Sequence, residues 1–332
     1  MKILQDHSKN DINSGAKDMP VLAGSNPNIF SELLRGFYKK AASKAKTTAL
    51  ALSITLAIST TASSIYAQTP QVKPQSLIAQ TASSDHTNLR KTSTNWAGII
   101  AISNAAKPEP AVTSVSGAWY VPKVQYGCTG DSSGAFDAQD TYVMYTWVGI
   151  GGYVNKDNTL IQIGTKERVD DGVVRYVAWY ELFPYMQNIP ISIKPGDLIY
   201  ANVSLVKGTT DMWNLKFQDL TSGKPIYTKE VYYNASRLSA DWVVERATGV
   251  WGVDYLPKFS KVNFVNINET IGNYATVGKT SGRISAFDTY SIDMYAGEGK
   301  RSVHKIATAS KINKEGMFDV KYDVCNPFVS QI

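Results

Sequence analysis

Histidine and cysteine are scarce in this chain, with three of one and two of the other in 332 residues. His7 lies near the start, His86 in a polar stretch, and His304 in a basic run (Lys300-Arg301-Ser302-Val303-His304-Lys305) with no nucleophile turn beside it. A Ser-His-Asp or Cys-His hydrolase therefore has little to work with. No cluster of Cys and His has the spacing of zinc ligands, so a metal centre is not expected. No cofactor motif is present either. Sustained helical periodicity is absent beyond residue 67, which excludes an α/β or helical fold. Net charge is also small where it counts. Of 34 Lys+Arg and 28 Asp+Glu, residues 1–67 hold 8 and 4, leaving 26 basic against 24 acidic residues, a net of +2. The basic balance of the whole chain is thus no argument for binding nucleic acid.

The first 67 residues read as a leader. Lys39, Lys40, Lys44 and Lys46 precede an apolar, uncharged run from Ala49 to Ala62, and small residues follow up to Ala67. That is the layout of a secretory signal with a long charged region. At 14 residues, with several Ser and Thr, the run is short for a membrane span. Residues 68–91 are polar and aperiodic and are taken as a linker or propeptide, and 92–332 as one folded domain. Export implies an extracellular protein, or a periplasmic one in a Gram-negative source. In that oxidising setting Cys128 and Cys325 either pair, closing a long loop, or stand as two thiols.

What is present is β texture. Apolar and aromatic residues alternate with polar ones over short runs, as in Trp213-Asn214-Leu215-Lys216-Phe217 and Arg175-Tyr176-Val177-Ala178-Trp179. Turn signals such as Lys194-Pro195-Gly196-Asp197 and Thr221-Ser222-Gly223-Lys224 separate them. Many short strands at this spacing predict an all-β domain, a two-sheet sandwich or a barrel. Trp147, Trp179 and Trp242 line a groove on one reading and fill the core on the other.

Two runs carry polar side chains opposite their bulkiest apolar neighbours. In Leu160-Ile161-Gln162-Ile163-Gly164, Gln162 faces away from the two isoleucines; in Ser239-Ala240-Asp241-Trp242-Val243-Val244-Glu245, Glu245 shares a face with Asp241 and Val243, away from Trp242. Trp179, Glu181 and Phe183 likewise share a face. If the isoleucines and Trp242 point inward, Gln162 and Glu245 point to one outer side. Alternation alone leaves open whether they meet.

Seven segments in order resemble the eqolisin (glutamic peptidase) family, particularly its bacterial members. They are Asn95-Trp96-Ala97-Gly98, Val115-Ser116-Gly117-Ala118-Trp119-Tyr120-Val121-Pro122, Thr146-Trp147-Val148-Gly149-Ile150, Ile161-Gln162-Ile163-Gly164-Thr165, Ala178-Trp179-Tyr180-Glu181, Pro195-Gly196-Asp197 and Ser239 to Glu245. The resemblance implies an antiparallel two-sheet β-sandwich of the concanavalin or jelly-roll kind with a curved, concave face. It implies acid endopeptidase activity on polypeptide substrates, without metal or cofactor, by a monomer with no stable membrane association once the leader is removed. It also implies catalytic Gln162 and Glu245, with Trp147, Trp179 and Glu181 by the substrate groove. Glu245 would act as base and then acid, and Gln162 would hold the oxyanion. There are departures. Gly151 stands where the family commonly has Asp. Lys166-Glu167-Arg168-Val169 lacks a cysteine that bacterial relatives often carry, which turns attention to Cys325 as partner for Cys128. Two competing readings remain: a glycoside hydrolase using Glu181 and Glu245, and a non-catalytic carbohydrate-binding sandwich.

Overall fold

The computed structural model describes residues 86–104, 107–125, 142–170, 172–249, 252–296 and 304–323. The leader, the stretch up to residue 85, Cys128 and Cys325 lie outside the described residues. In chain order the strands are β1 (Asn88–Ser93), β2 (Trp96–Ile102), β3 (Val112–Tyr120), β4 (Val124–Gln125), β5 (Tyr142–Gly151), β6 (Leu160–Asp170), β7 (Val173–Leu182) and β8 (Tyr185–Ile189). They continue with β9 (Leu198–Leu205), β10 (Met212–Asp219), β11 (Tyr227–Tyr232), β12 (Ser239–Arg246), β13 (Thr248–Gly249), β14 (Gly252–Val253) and β15 (Lys258–Phe259). The last are β16 (Val262–Phe264), β17 (Tyr274–Val277), β18 (Thr280–Arg283), β19 (Asp288–Ala296), β20 (His304–Ala309) and β21 (Phe318–Tyr322).

The pairings resolve into two layers. One runs β8–β7–β6–β5–β12–β2–β19–β1, antiparallel except for the last pair. The other is built around β3, with β9, β10 and β11 on one side and β17, β18, β16 and β21 on the other. Hydrogen bonding passes from layer to layer through β19, β20 and β21. The result is the expected all-β sandwich.

Strand alternation explains the core between the layers. In β10, Trp213, Leu215 and Phe217 are buried while Asn214 is exposed. They meet Ile161, Ile163, Val148 and Trp242 from the facing layer. Trp242 fits because Gly117 opposes it: a Cβ there would stand 3.1 Å from its Cδ1 and 2.6 Å from Val148 Cγ1. The indole N–H of Trp242 donates to the Ser116 carbonyl at 2.7 Å. Of the two readings for Trp242, the structure therefore shows core.

Strands β5 and β12 are buried on both faces. Their outer face meets a second apolar cluster that includes Trp96, Tyr145, Trp147, Trp179 and Val243, with Tyr153, Phe183, Met186 and Tyr290 packed against it. This doubly covered patch is where the polar residues of interest lie.

Strand β1 begins at Asn88, within the stretch 68–91 read as linker or propeptide. Strand β1 is polar and almost wholly exposed, so it has no hydrophobic period to read. It is held by parallel pairing to β19 and by Arg90, whose guanidinium reaches Asp293 and the Ala309 carbonyl.

One acid faces the sandwich interior. Glu167 is fully buried, and neither carboxyl oxygen has a hydrogen-bond partner. Burial pushes its pKa from 4.5 to about 8. Between those values the native state holds a proton the unfolded chain has released, so stability falls as pH rises through that window. Glu167→Gln is expected to leave Tm near wild type at about pH 4 and to raise it at about pH 8. Thermal unfolding at both values checks this; an equal shift at both would remove Glu167 as the cause.

Candidate active site

The outer face of the first layer is organised in cross-strand rows. Asp241, Gly149, Gln162 and Glu181 are successive partners across β12, β5, β6 and β7. The next row is Val243, Trp147, Gly164 and Trp179, and the one after it Glu245, Tyr145 and Lys166. Gln162 and Glu245 thus share a face and a sheet, with β5 between their strands and one row between their positions. No hydrogen bond joins them directly.

Trp147 fills the gap. Its indole N–H donates to Glu245 Oε2 at 2.9 Å. The far edge of its ring leans toward Gln162: a Cβ built on Gly149 would stand 3.0 Å from Trp147 Cζ3 and 2.9 Å from Gln162 Cβ. Gly164, opposite Trp147, is equally constrained, since a Cβ there would meet Trp147 Cβ at 2.6 Å and the Thr146 carbonyl at 2.1 Å. Glycine at both places leaves room for the indole between the two candidate residues. Trp96 packs edge-on against Trp147, with centroids 5.0 Å apart, and Tyr145 against Trp179 at 5.1 Å.

Glu245 has a second donor. Asn95 Nδ2 reaches its Oε1 at 3.2 Å. Asn95 sits in the turn between β1 and β2, where Ser93 Oγ bonds its side chain and its backbone N–H, and its carbonyl accepts from Arg246 N–H. Sequence reading quoted Asn95 as part of a motif and gave it no role. The available signal was an Asn two residues after a Ser, the local bonding pattern of a turn.

Gln162 is held by Glu181, with its Nε2 2.6 Å from Glu181 Oε2. The remaining oxygen of each, Gln162 Oε1 and Glu181 Oε1, is buried without a partner. All five residues singled out from sequence, Gln162, Glu245, Trp147, Trp179 and Glu181, are buried on this one face. Burial pushes the Glu181 carboxyl from 4.5 to about 8. It raises Glu245 well above 4.5; Trp96 opposes that most, the charge of Glu181 adds to it, and the donors from Trp147 and Asn95 oppose it further. Asp241 is raised by burial too, with Asp157 adding to the effect. Among the described residues no group of three or more His, Cys, Asp and Glu is placed to hold a metal ion.

Gly151 departs from the expected acid for a backbone reason. Its φ is +94°, and a Cβ would meet the Thr159 carbonyl at 2.5 Å. Yet that Cβ would also lie 3.3 Å from Asp157 Oδ2. Asp157 is locked there by the Gly152 and Thr159 N–H groups and the Thr159 and Ser236 hydroxyls. A carboxylate therefore stands beside this position, delivered from six residues further along the chain.

Comparison with known proteins agrees with the fold. The model of the Peptidase A4 family matches residues 94–322. Aspergillopepsin-2 of Aspergillus niger is 27% identical over 205 residues, covering 58% of this chain and 69% of that protein. Among solved structures, scytalido-glutamic peptidase with a transition-state analog inhibitor aligns over 69% of this chain and 98% of its own. Its TM-score is 0.52 at 20% identity. A second structure of that peptidase, with a peptide-based analog, aligns over the same shares at a TM-score of 0.51. At that identity the two structures speak to fold alone. The β-sandwich with its buried acid-and-amide face is a peptide hydrolase. The chain belongs to the Peptidase A4 family, the eqolisins. Membership in a peptidase family sets aside the glycoside hydrolase and the carbohydrate-binding module.

The seat of Trp147 is directly testable. Gly164→Ala should lower stability by about 3 kcal/mol and perturb the near-ultraviolet circular dichroism of the tryptophans. An unchanged Tm and spectrum would mean that the indole is not fixed by this close approach.

Proposed function

We propose that this protein is an exported, acid-active endopeptidase in which Glu245 moves the proton and Gln162 stabilises the oxyanion. The observation that carries the reading is the shared face: one acid and one amide in one buried layer, with Trp147 in the row between them and bonded to the acid. Export rests on the apolar run from Ala49 to Ala62 behind its lysines.

The chemistry follows from what each group can do. The Glu245 carboxylate takes a proton from water as its oxygen adds to the scissile carbonyl carbon. The tetrahedral intermediate then collapses, the C–N bond breaks, and Glu245 gives the same proton to the departing nitrogen. Such transfer is worth about 10²–10⁴-fold. The intermediate's oxyanion needs a donor that remains a donor in acid and in base. An amide N–H meets that need, and Gln162 provides it. Trp147 and Asn95 hold the carboxylate in one orientation by bonding one oxygen each. Trp147 and Trp179 are buried in the apolar cluster of the same face, so they back the acid and the amide instead of presenting surface to the substrate.

Two variants and one pH profile test the reading. Digestion of an unfolded protein at about pH 3–6, with mass mapping of the products, should show internal cleavage by the wild type. Glu245→Gln should abolish it, and Gln162→Ala should lower kcat by about 10²–10³-fold. The base must be ionised to work, so the acid limb of the rate should lie above the 4.5 of an ordinary glutamate. A variant lacking Gln162 that cleaves at full rate would sink the assignment, as would a rate that peaks above neutrality.

A further inference from the structure

The contact between Gln162 and Glu181 presents a chemical problem. With the amide nitrogen pointing at Glu181, one N–H is tied to a carboxyl and the amide oxygen is left buried without a partner. The amide end left over is an acceptor, which is the wrong polarity for stabilising an oxyanion.

The separation points to a different arrangement. At 2.6 Å the pair is closer than the usual 2.7–3.2 Å of an N–H···O bond. It falls within the 2.5–3.0 Å of an O–H···O bond. The two ends of a side-chain amide have the same shape and exchange by a half-turn. We propose that Glu181 works as a neutral carboxylic acid that donates its O–H to Gln162 Oε1 and so turns both amide N–H groups toward the substrate. Glu181 is then a positioning residue whose proton sets the polarity of the oxyanion site. This deepens the function proposed above and rests on the role given there to Gln162.

Surroundings decide which acid keeps a proton. Four groups face Glu181 from neighbouring strands and loops: Gln162 on β6, Tyr145 on β5, Glu245 on β12 and Tyr233 after β11. None is a cation, and the tyrosines remain neutral because their pKa values are raised, that of Tyr233 to about 12. Glu181 also lies in the apolar layer, fully buried. No cation offsets its charge, and burial pushes its carboxyl up to about 8 although the Gln162 hydrogen bond opposes that rise. The repulsion between the two acids raises Glu245, and Trp96, Trp147 and Asn95 oppose that rise. Donors of that kind favour the charged form. The contacts assign the roles in this proposal: Glu245, which accepts from Trp147 and Asn95, ionises as base, and Glu181, set against the Gln162 amide, holds the proton. As pH rises and Glu181 loses that proton, the carboxylate draws the amide N–H back and the oxyanion site inverts.

The test compares Glu181→Gln and Glu181→Leu with Gln162→Ala, following kcat and KM on a peptide substrate from about pH 3 to 9. A glutamine at 181 can donate to Gln162 Oε1 at every pH. Its kcat should stay within tenfold of wild type in acid, and its alkaline limb should move up by at least one pH unit. Leucine removes the donor, so kcat should fall about as far as in Gln162→Ala while KM changes less than threefold. Suppose Gln162→Ala is impaired while Glu181→Gln keeps the wild-type alkaline limb. Then the roles of Gln162 and Glu245 stand and the proposal about Glu181 is overturned. If Gln162→Ala is fully active, both fall together. The isosteric glutamine variant keeps the outcome decisive should the leucine variant fail to fold.

Discussion

The outer face depends on seating one indole between two glycines. Trp147 can lie across β5 only because Gly164 opposite it and Gly149 two residues on present no side chain. Seated there, it carries an N–H to Glu245 and occupies the row between Glu245 and Gln162. It also packs edge-on with Trp96, which anchors β2 into the same layer. A rigid aromatic with one polar handle thereby holds the acid in place on a strand that never pairs with that of the amide. The orientation of the acid, the placement of the amide and the dryness of the layer follow from that seat.

Dryness sets the electrostatics. Glu167, Glu181, Asp241 and Glu245 are all buried, and each has its pKa raised with desolvation as the largest cause. The ion pairs of the described residues lie elsewhere, as where Arg90 and Lys305 meet Asp293. A buried carboxyl without a cation is tolerated in its neutral form and becomes costly when it must ionise. Each of these acids therefore favours the native state in acid and withdraws that support as pH rises toward its folded pKa. The same burial therefore favours the fold in acid and moves the ionisation of Glu245 upward, so stability and the charge of that acid respond to pH in opposite senses.

How much of this was legible in the sequence follows from what alternation can and cannot carry. Period two in β10, β6 and β12 showed strands, and showed that Gln162 and Glu245 turn away from Ile161 and Trp242; the faces are as read. Alternation holds no information about which strands are neighbours, so the insertion of β5 between β6 and β12, and with it Trp147, needed the register. Strand β1 was invisible because its face is polar and its hold is by backbone pairing and Arg90. The acid missing at Gly151 was visible as a gap. That Asp157 returns a carboxylate to that spot was not, because a loop hydrogen-bond network has no period. Asn95 escaped for a similar reason: a turn residue 150 positions from Glu245 becomes its donor only through the pairing of β2 with β12.

On the proposed reading, the layer also suits an amide, rather than a cation, to the oxyanion position beside these acids. A lysine at 162 would stand in the same row as Asp241 and Glu181. It would pair with them, stabilise their ionised forms and pull their pKa values down. The repulsion that separates Glu181 from Glu245 would then be lost, and the proton needed at position 181 would leave. A second carboxyl at 162 would fail in the opposite sense, since it becomes a pure acceptor as soon as it ionises. The amide carries no charge to disturb its neighbours. It can accept from an acid on one side and donate to an anion on the other. In an apolar layer that must keep one carboxyl ionised and the next neutral, a side chain with both capacities and no charge satisfies both neighbours, and glutamine at position 162 is that side chain.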